Sequence, residues 1–154
     1  MNNSLRNSLA ALLLVSAASG AFAEQNKVTS PDGRLVVNVE DHAGRLFYDV
    51  TYDGKQMMQP SLLGVVANVG DFSQNLVYKS VDNRKVENSY TMRSTKTSLV
   101  HYKANEMSVT YTNDKKLPVV VKFRVSDNDI AFRYEFGEVT DCTHIIIDDE
   151  KTAF

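Results

Sequence analysis

Hydrophobic and polar positions alternate with a period of two through most of the chain after residue 28. Leu46, Tyr48, Val50 and Tyr52 share one face of a seven-residue segment, with Phe47, Asp49 and Thr51 on the other. Such alternation is the mark of a half-buried strand. Val119–Val125 and Ile130–Phe136 are the clearest cases, and Ser126-Asp127-Asn128-Asp129 between them predicts a hairpin loop. Leu35–Val39 is a β-branched strand between two turn signals, Thr29-Ser30-Pro31-Asp32-Gly33 and His42-Ala43-Gly44. Asp53-Gly54 predicts a tight hairpin into Lys55–Met58, completing a three-strand meander.

Further strands are expected beyond Pro60. Leu62–Val69 is a short apolar run broken by Gly64, and Leu76–Val86 is a weaker pattern in which Asp82-Asn83 predicts a turn. Leu99–Tyr102 and Met107–Thr112 read as two strands flanking a break at Ala104-Asn105-Glu106. Asn113–Lys116 is a further turn, and Ile145-Ile146-Ile147 opens one more strand. No window of eleven or more residues carries a helical period. Nine or ten short strands at hairpin spacing predict an all-β antiparallel β-sandwich.

The first 23 residues break this pattern. Met1–Asn7 carry one charge, Arg6; Leu9–Ala18 are apolar apart from Ser16; Ala21-Phe22-Ala23 supplies a small-x-small cleavage site. This is the layout of a secretory signal peptide, so 1–23 is expected to be removed and 24–154 to form a partial N-terminal domain. The competing reading is a membrane anchor or buried helix, but the apolar run is short for roughly 30 Å of hydrocarbon. The product is expected to be secreted or periplasmic.

Composition then removes several classes. The chain holds 17 basic and 19 acidic residues, a formal charge of -2, which becomes more negative once Arg6 is removed. That balance speaks against a nucleic-acid surface. Cys142 is the sole cysteine, so neither an internal disulfide nor a paired-cysteine zinc site is available.

Candidate chemistry is sparse. His42, His101 and His144 fall on separate segments. Asp148-Asp149-Glu150 is an acidic trio, but neighbours on a strand point to opposite faces, and a solvated turn is the expected reading. Asp127-Asn128-Asp129 lacks the glycine and distal glutamate of a calcium loop and is expected to be a hairpin. Phe132, Tyr134 and Phe136 share one face; core packing is expected over a sugar-stacking platform. Arg133 and Glu135 take the other face, beside Lys122 and Arg124 of the partner strand. No catalytic, cofactor-binding or metal-binding residue is assigned within this segment.

Ser30-Pro31-Asp32-Gly33-x-Leu35, Tyr52-Asp53-Gly54-Lys55, Pro60-Ser61-x-Leu63-Gly64, Asn105-Glu106 and Asp129–Phe136 occur in an order and spacing that resemble the N-terminal domain of glycoside hydrolase family 97. The resemblance implies a galactose-mutarotase-like β-super-sandwich ahead of a (β/α)8 barrel, in exported bacterial α-glucosidases and α-galactosidases. It implies that the catalytic carboxylates and the family's calcium belong to regions after residue 154. The expected function is therefore a non-catalytic carbohydrate-binding or supporting domain, with an α-linked oligosaccharide reached through the parent enzyme; the alternative is a free-standing exported module that binds glycans or protein. A sandwich cut part-way exposes strand edges and apolar faces, so residues 24–154 alone are expected to be marginally stable.

Overall fold

A computed structural model describes residues 26–93, 98–139 and 143–154. The leader expected at 1–23 and Cys142 lie outside them. Every regular element among the described residues is a strand.

Strands β1 (Lys27–Thr29), β2 (Leu35–His42), β3 (Arg45–Tyr52) and β4 (Lys55–Leu63) form one antiparallel sheet in chain order. Ala43-Gly44 and Asp53-Gly54 join them as two-residue turns with positive φ at both positions, 54° and 77°, then 48° and 73°. That twist matches paired strands, and glycine meets it at no steric cost. The Ser-Pro-Asp-Gly turn is closed by side chains as well. Ser30 Oγ donates to Asp32 Oδ1 (2.6 Å), and Arg34 Nε donates to Asp32 Oδ2 (2.9 Å). The Ser30 hydroxyl and the Arg34 amide and guanidinium hold the Asp32 carboxyl at about 2.

The meander is longer than its pattern predicts. β4 runs through Pro60, and Pro60 is tolerated because β4 is an edge strand with an irregular register between Tyr48 and Val50.

The second sheet has the order β10-β9-β8-β7, from β7 (Val77–Thr91), β8 (Leu99–Thr112), β9 (Pro118–Ser126) and β10 (Ile130–Phe136). Two expectations fail here. Asp82-Asn83 is not a turn and Ala104-Asn105-Glu106 is not a break; both lie inside long, continuous strands. The reason is tertiary. Asp82 pairs with Ser108, Arg84 with Glu106 and Lys85 with Asn105. Asn105 Nδ2 also donates to the Thr29 carbonyl in β1 (2.7 Å). Backbone pairing with β8 keeps Asp82-Asn83 extended, and the Asn105 and Glu106 side chains are satisfied across the strands.

The sheets pack face to face. Val37, Val39, Leu46, Tyr48 and Leu63 of the first meet Met107, Val109, Val121, Phe123 and Val125 of the second. Tyr48 and Phe123 bring their rings to 5.7 Å across the interface. Tyr111 is fully buried there, and its hydroxyl makes no protein hydrogen bond; burial pushes the phenol up. Tyr111→Phe is expected to keep stability within about 1 kcal/mol, since it removes only an unpaired polar atom. Tyr111→Ala should cost about 3–5 kcal/mol through the cavity. Urea midpoints of the two variants test this.

A third sheet, β11-β5-β6, closes one end with β5 (Val65–Ala67), β6 (Gly70–Asp71) and β11 (Ile147–Glu150). The acidic trio therefore belongs to a strand and not to a solvated turn: Asp149 pairs with Val66 and Glu150 with Val65. Gly64 marks the corner where the chain leaves the first sheet. A Cβ there would sit 2.7 Å from the Ser73 Cα, a contact only glycine avoids. Tyr134 ties this corner down. Its hydroxyl accepts from the Gly64 amide (2.9 Å) and meets Thr152 Oγ1 (2.7 Å), while Ala153 N donates to Leu62 O (2.8 Å).

Candidate functional site

The second sheet buries one face and turns the other outward. Along β9, Val119, Val121, Phe123 and Val125 point inward, so Lys122 and Arg124 point out. The register places Glu106 of β8 between Arg84 of β7 and Arg124 of β9. Arg84 Nε donates to Glu106 Oε1 at 2.7 Å and Arg124 Nε to Oε2 at 2.9 Å, each guanidinium adding a second contact through Nη2. Glu106 is 1% exposed although it lies on the outward face, because Arg84 (58%) and Arg124 (35%) cover it. Burial works to raise its pKa, but the hydrogen bonds from Arg124 and Arg84 prevail and the group lies below the ordinary carboxylate range.

A second ion pair flanks the first. Lys122 Nζ donates to Glu135 Oε1 at 2.9 Å, and Arg133 Nη2 contacts the same oxygen. The Lys122 hydrogen bond holds Glu135 below its usual range. Between the two clusters is a recess of 120 Å³ lined by Glu106, Lys122, Arg124, Ala131, Phe132 and Arg133. A wider one of 300 Å³ lies on the other side of Glu106, among Lys27, Thr29, Asn83, Lys85 and Asn105.

This arrangement suits binding better than proton transfer. Hydrolysis of a glycoside by two carboxyls needs one with a raised pKa. Among the described residues the carboxyls displaced from their ordinary range, namely Asp32, Asp71, Glu106 and Glu135, are displaced downward. Both Glu106 oxygens are already occupied by guanidinium groups, whose outward N–H bonds remain as donors.

The residues singled out from sequence stay apart. His42 Nε2 contacts Glu40 Oε2 (2.9 Å), His101 Nδ1 contacts Ser89 Oγ (2.9 Å), and His144 Nδ1 contacts Thr143 Oγ1 (3.0 Å) on a third segment. Asp127 Oδ1 accepts from the Asp32 amide (2.8 Å), and Ser126 Oγ caps Asp129 N (3.1 Å), so 127–129 is a tied hairpin loop. Among the described residues no three His, Cys, Asp or Glu side chains converge as a metal ligand set. Also among them, no helix is long and apolar enough to cross a membrane. Phe132, Tyr134 and Phe136 pack against the core as expected, with Phe132 5.5 Å from the Phe123 ring and Phe136 5.1 Å from that of Phe72. Glu106 was not legible as a site. Its signal is a lone carboxylate inside a strand whose neighbours each carry an arginine.

Fold and surface together define an antiparallel β-sandwich domain whose outward polar face is built of ion pairs. Residues 28–154 match the family described as Glycosyl-hydrolase 97 N-terminal, and the chain belongs to that family. The structure is similar to that of a β-arabinopyranosidase, at 35% identity and a TM-score of 0.78, covering 82% of this chain and 20% of that one. It also resembles a glycoside hydrolase family 97 enzyme from Pseudoalteromonas sp. strain K8, solved with panose and with acarbose, at 23% identity and a TM-score of 0.74. The chain thus spans about a fifth of the length of these solved relatives.

Proposed function

We propose that this domain is the non-catalytic N-terminal part of an exported glycosidase acting on oligosaccharides, and that it supports the catalytic portion of that enzyme. The observation that carries the reading is the family match across 28–154, in a sandwich whose perturbed carboxyls are all held ionised. In this reading the hydrolytic carboxyls and any calcium belong to the catalytic portion. The leader at 1–23 directs the product to the periplasm or the medium. Candidate substrates are the α-glucosides and α-galactosides implied by the resemblance, and the β-arabinopyranosides named for the relative at 35% identity.

The full-length protein should hydrolyse at least one of these three p-nitrophenyl glycosides, and residues 24–154 alone should hydrolyse none. N-terminal sequencing of the exported product should begin at Glu24. Turnover by 24–154 alone would refute the non-catalytic assignment. Tight oligosaccharide binding by that segment would instead favour a free-standing glycan-binding module.

A further inference from the structure

The chain holds two Asp-Gly pairs, Asp32-Gly33 and Asp53-Gly54, and no Asn-Gly pair. Before glycine an aspartyl side chain turns most readily on its own backbone, because no Cβ shields the next amide nitrogen. Both glycines are open in that respect: a Cβ built on either would meet nothing within 4 Å. Both have positive φ, 79° at Gly33 and 73° at Gly54, and both turns reach solvent. Exposure and local sequence therefore do not separate the two pairs. Hydrogen bonding does.

At Asp32-Gly33 both reacting groups are tied. The Asp32 carboxyl accepts from Ser30 Oγ (2.6 Å), the Arg34 amide (3.1 Å) and Arg34 Nε (2.9 Å). The Gly33 amide donates to the Ser30 carbonyl (2.9 Å). These bonds also hold the Asp32 carboxyl ionised, the form from which oxide and not water would have to leave. At Asp53-Gly54 both groups are loose. Among the described residues the Asp53 carboxyl makes no hydrogen bond; its ionic contact is Arg34 Nη1 at 3.9 Å, and its side chain is 52% exposed. The Gly54 amide has no acceptor among them. The Asp53 amide donates to the Arg34 carbonyl (3.0 Å), which anchors the residue while its side chain stays free.

We infer that Asp53-Gly54 is a site of spontaneous backbone modification, conversion of aspartyl to isoaspartyl, and that the fold suppresses the same chemistry at Asp32-Gly33. The Gly54 nitrogen bonds to Asp53 Cγ, and the carboxyl hydroxyl leaves as water with the amide proton, closing a cyclic succinimide. Water then adds to the ring carbon that was the Asp53 main-chain carbonyl, and the bond from this carbon to the Gly54 nitrogen breaks. The chain now runs through Cγ, and a free α-carboxylate remains. One water leaves, one enters, and nothing is oxidised. The product puts an extra backbone atom into the two-residue turn that sets Tyr52 opposite Lys55. In its sheet β4 has β3 as its neighbour on one side only, so the lengthened turn should loosen that hairpin.

The test incubates the full-length protein at neutral pH, folded in buffer or unfolded in concentrated urea, and then digests it with trypsin. Peptides 28–34 and 46–55 carry one Asp-Gly pair each. Isoaspartyl-specific methylation measures the product, and electron-transfer fragmentation separates Asp53 from Asp49. In the folded protein, conversion at Asp53 should exceed that at Asp32 by about tenfold, since reaction at Asp32 must first break hydrogen bonds. In urea the two should convert at comparable rates. Comparable conversion in the folded protein, faster conversion at Asp32, or none at Asp53 while urea converts both would each overturn the assignment. So would a preference for Asp53 that persists undiminished in urea, because flanking sequence and not the fold would then set the difference.

Discussion

Phe123→Ala should lower the stability of the domain by about 3–5 kcal/mol, the range for deleting a fully buried aromatic side chain. Phe123 has no exposed surface, sits on the interior strand β9, and touches Tyr48 of the opposite sheet and Phe132 of its own. Its removal opens a cavity where the two sheets meet, and the backbone ladders on either side limit collapse into it. Against a domain stability of about 5–15 kcal/mol the loss is large. Urea unfolding should show a lower midpoint with an unchanged slope. A loss below about 1 kcal/mol would mean that the sheets do not pack through this ring.

Arg124→Met should cost about 2 kcal/mol at neutral pH and show a diagnostic pH dependence. Breaking a buried ion pair by removing one partner costs about 3–5 kcal/mol, but Arg84 still pairs with Glu106 and Arg124 is partly in solvent, which lowers the figure. Glu106 is depressed in the folded protein, so its contribution is fully present above the unfolded carboxyl pKa of about 4.3 and is lost as pH falls through the folded value. Wild type should therefore lose this stability on acidification below about pH 4.5. Arg124→Met, in which Glu106 is less depressed, should have less to lose. The gap between the two unfolding free energies should narrow as pH is lowered. A gap constant from pH 7 to pH 3 would show that Arg124 acts through its aliphatic stem and not its charge.

The fold was legible where alternation and turn chemistry agree. Val119–Val125 and Ile130–Phe136 pair in the register their hydrophobic phase requires, from Ile130↔Val125 to Phe136↔Val119. Asp53-Gly54 makes the turn its residues demand. Legibility failed where a polar residue has a distant partner. Ala104-Asn105-Glu106 reads as a break because Asn and Glu disfavour strands locally, yet Asn105 is held by β1 and Glu106 by β7 and β9. The acidic trio misleads for the same reason, since β5 recruits it into a strand. Of the outward face, the Lys122–Glu135 pair was visible from strand phase. Arg124 turns instead to Glu106, and that choice depends on the three-strand order β7, β8, β9, which no local window contains.

The Tyr134 hydroxyl joins Gly64 to Thr152, side chains and backbone separated by most of the domain's length. A chain growing from its N-terminus can zip the β2–β3 and β3–β4 hairpins early, because their partners are sequence neighbours. The corner at Gly64 has to wait for residues nearly ninety positions downstream. Assembly should thus run from quick local pairing to slower, distant closures, of which the Gly64 corner is one. Any truncation that spares the hairpins but removes the last few residues should leave ribbons that form and a corner that never locks.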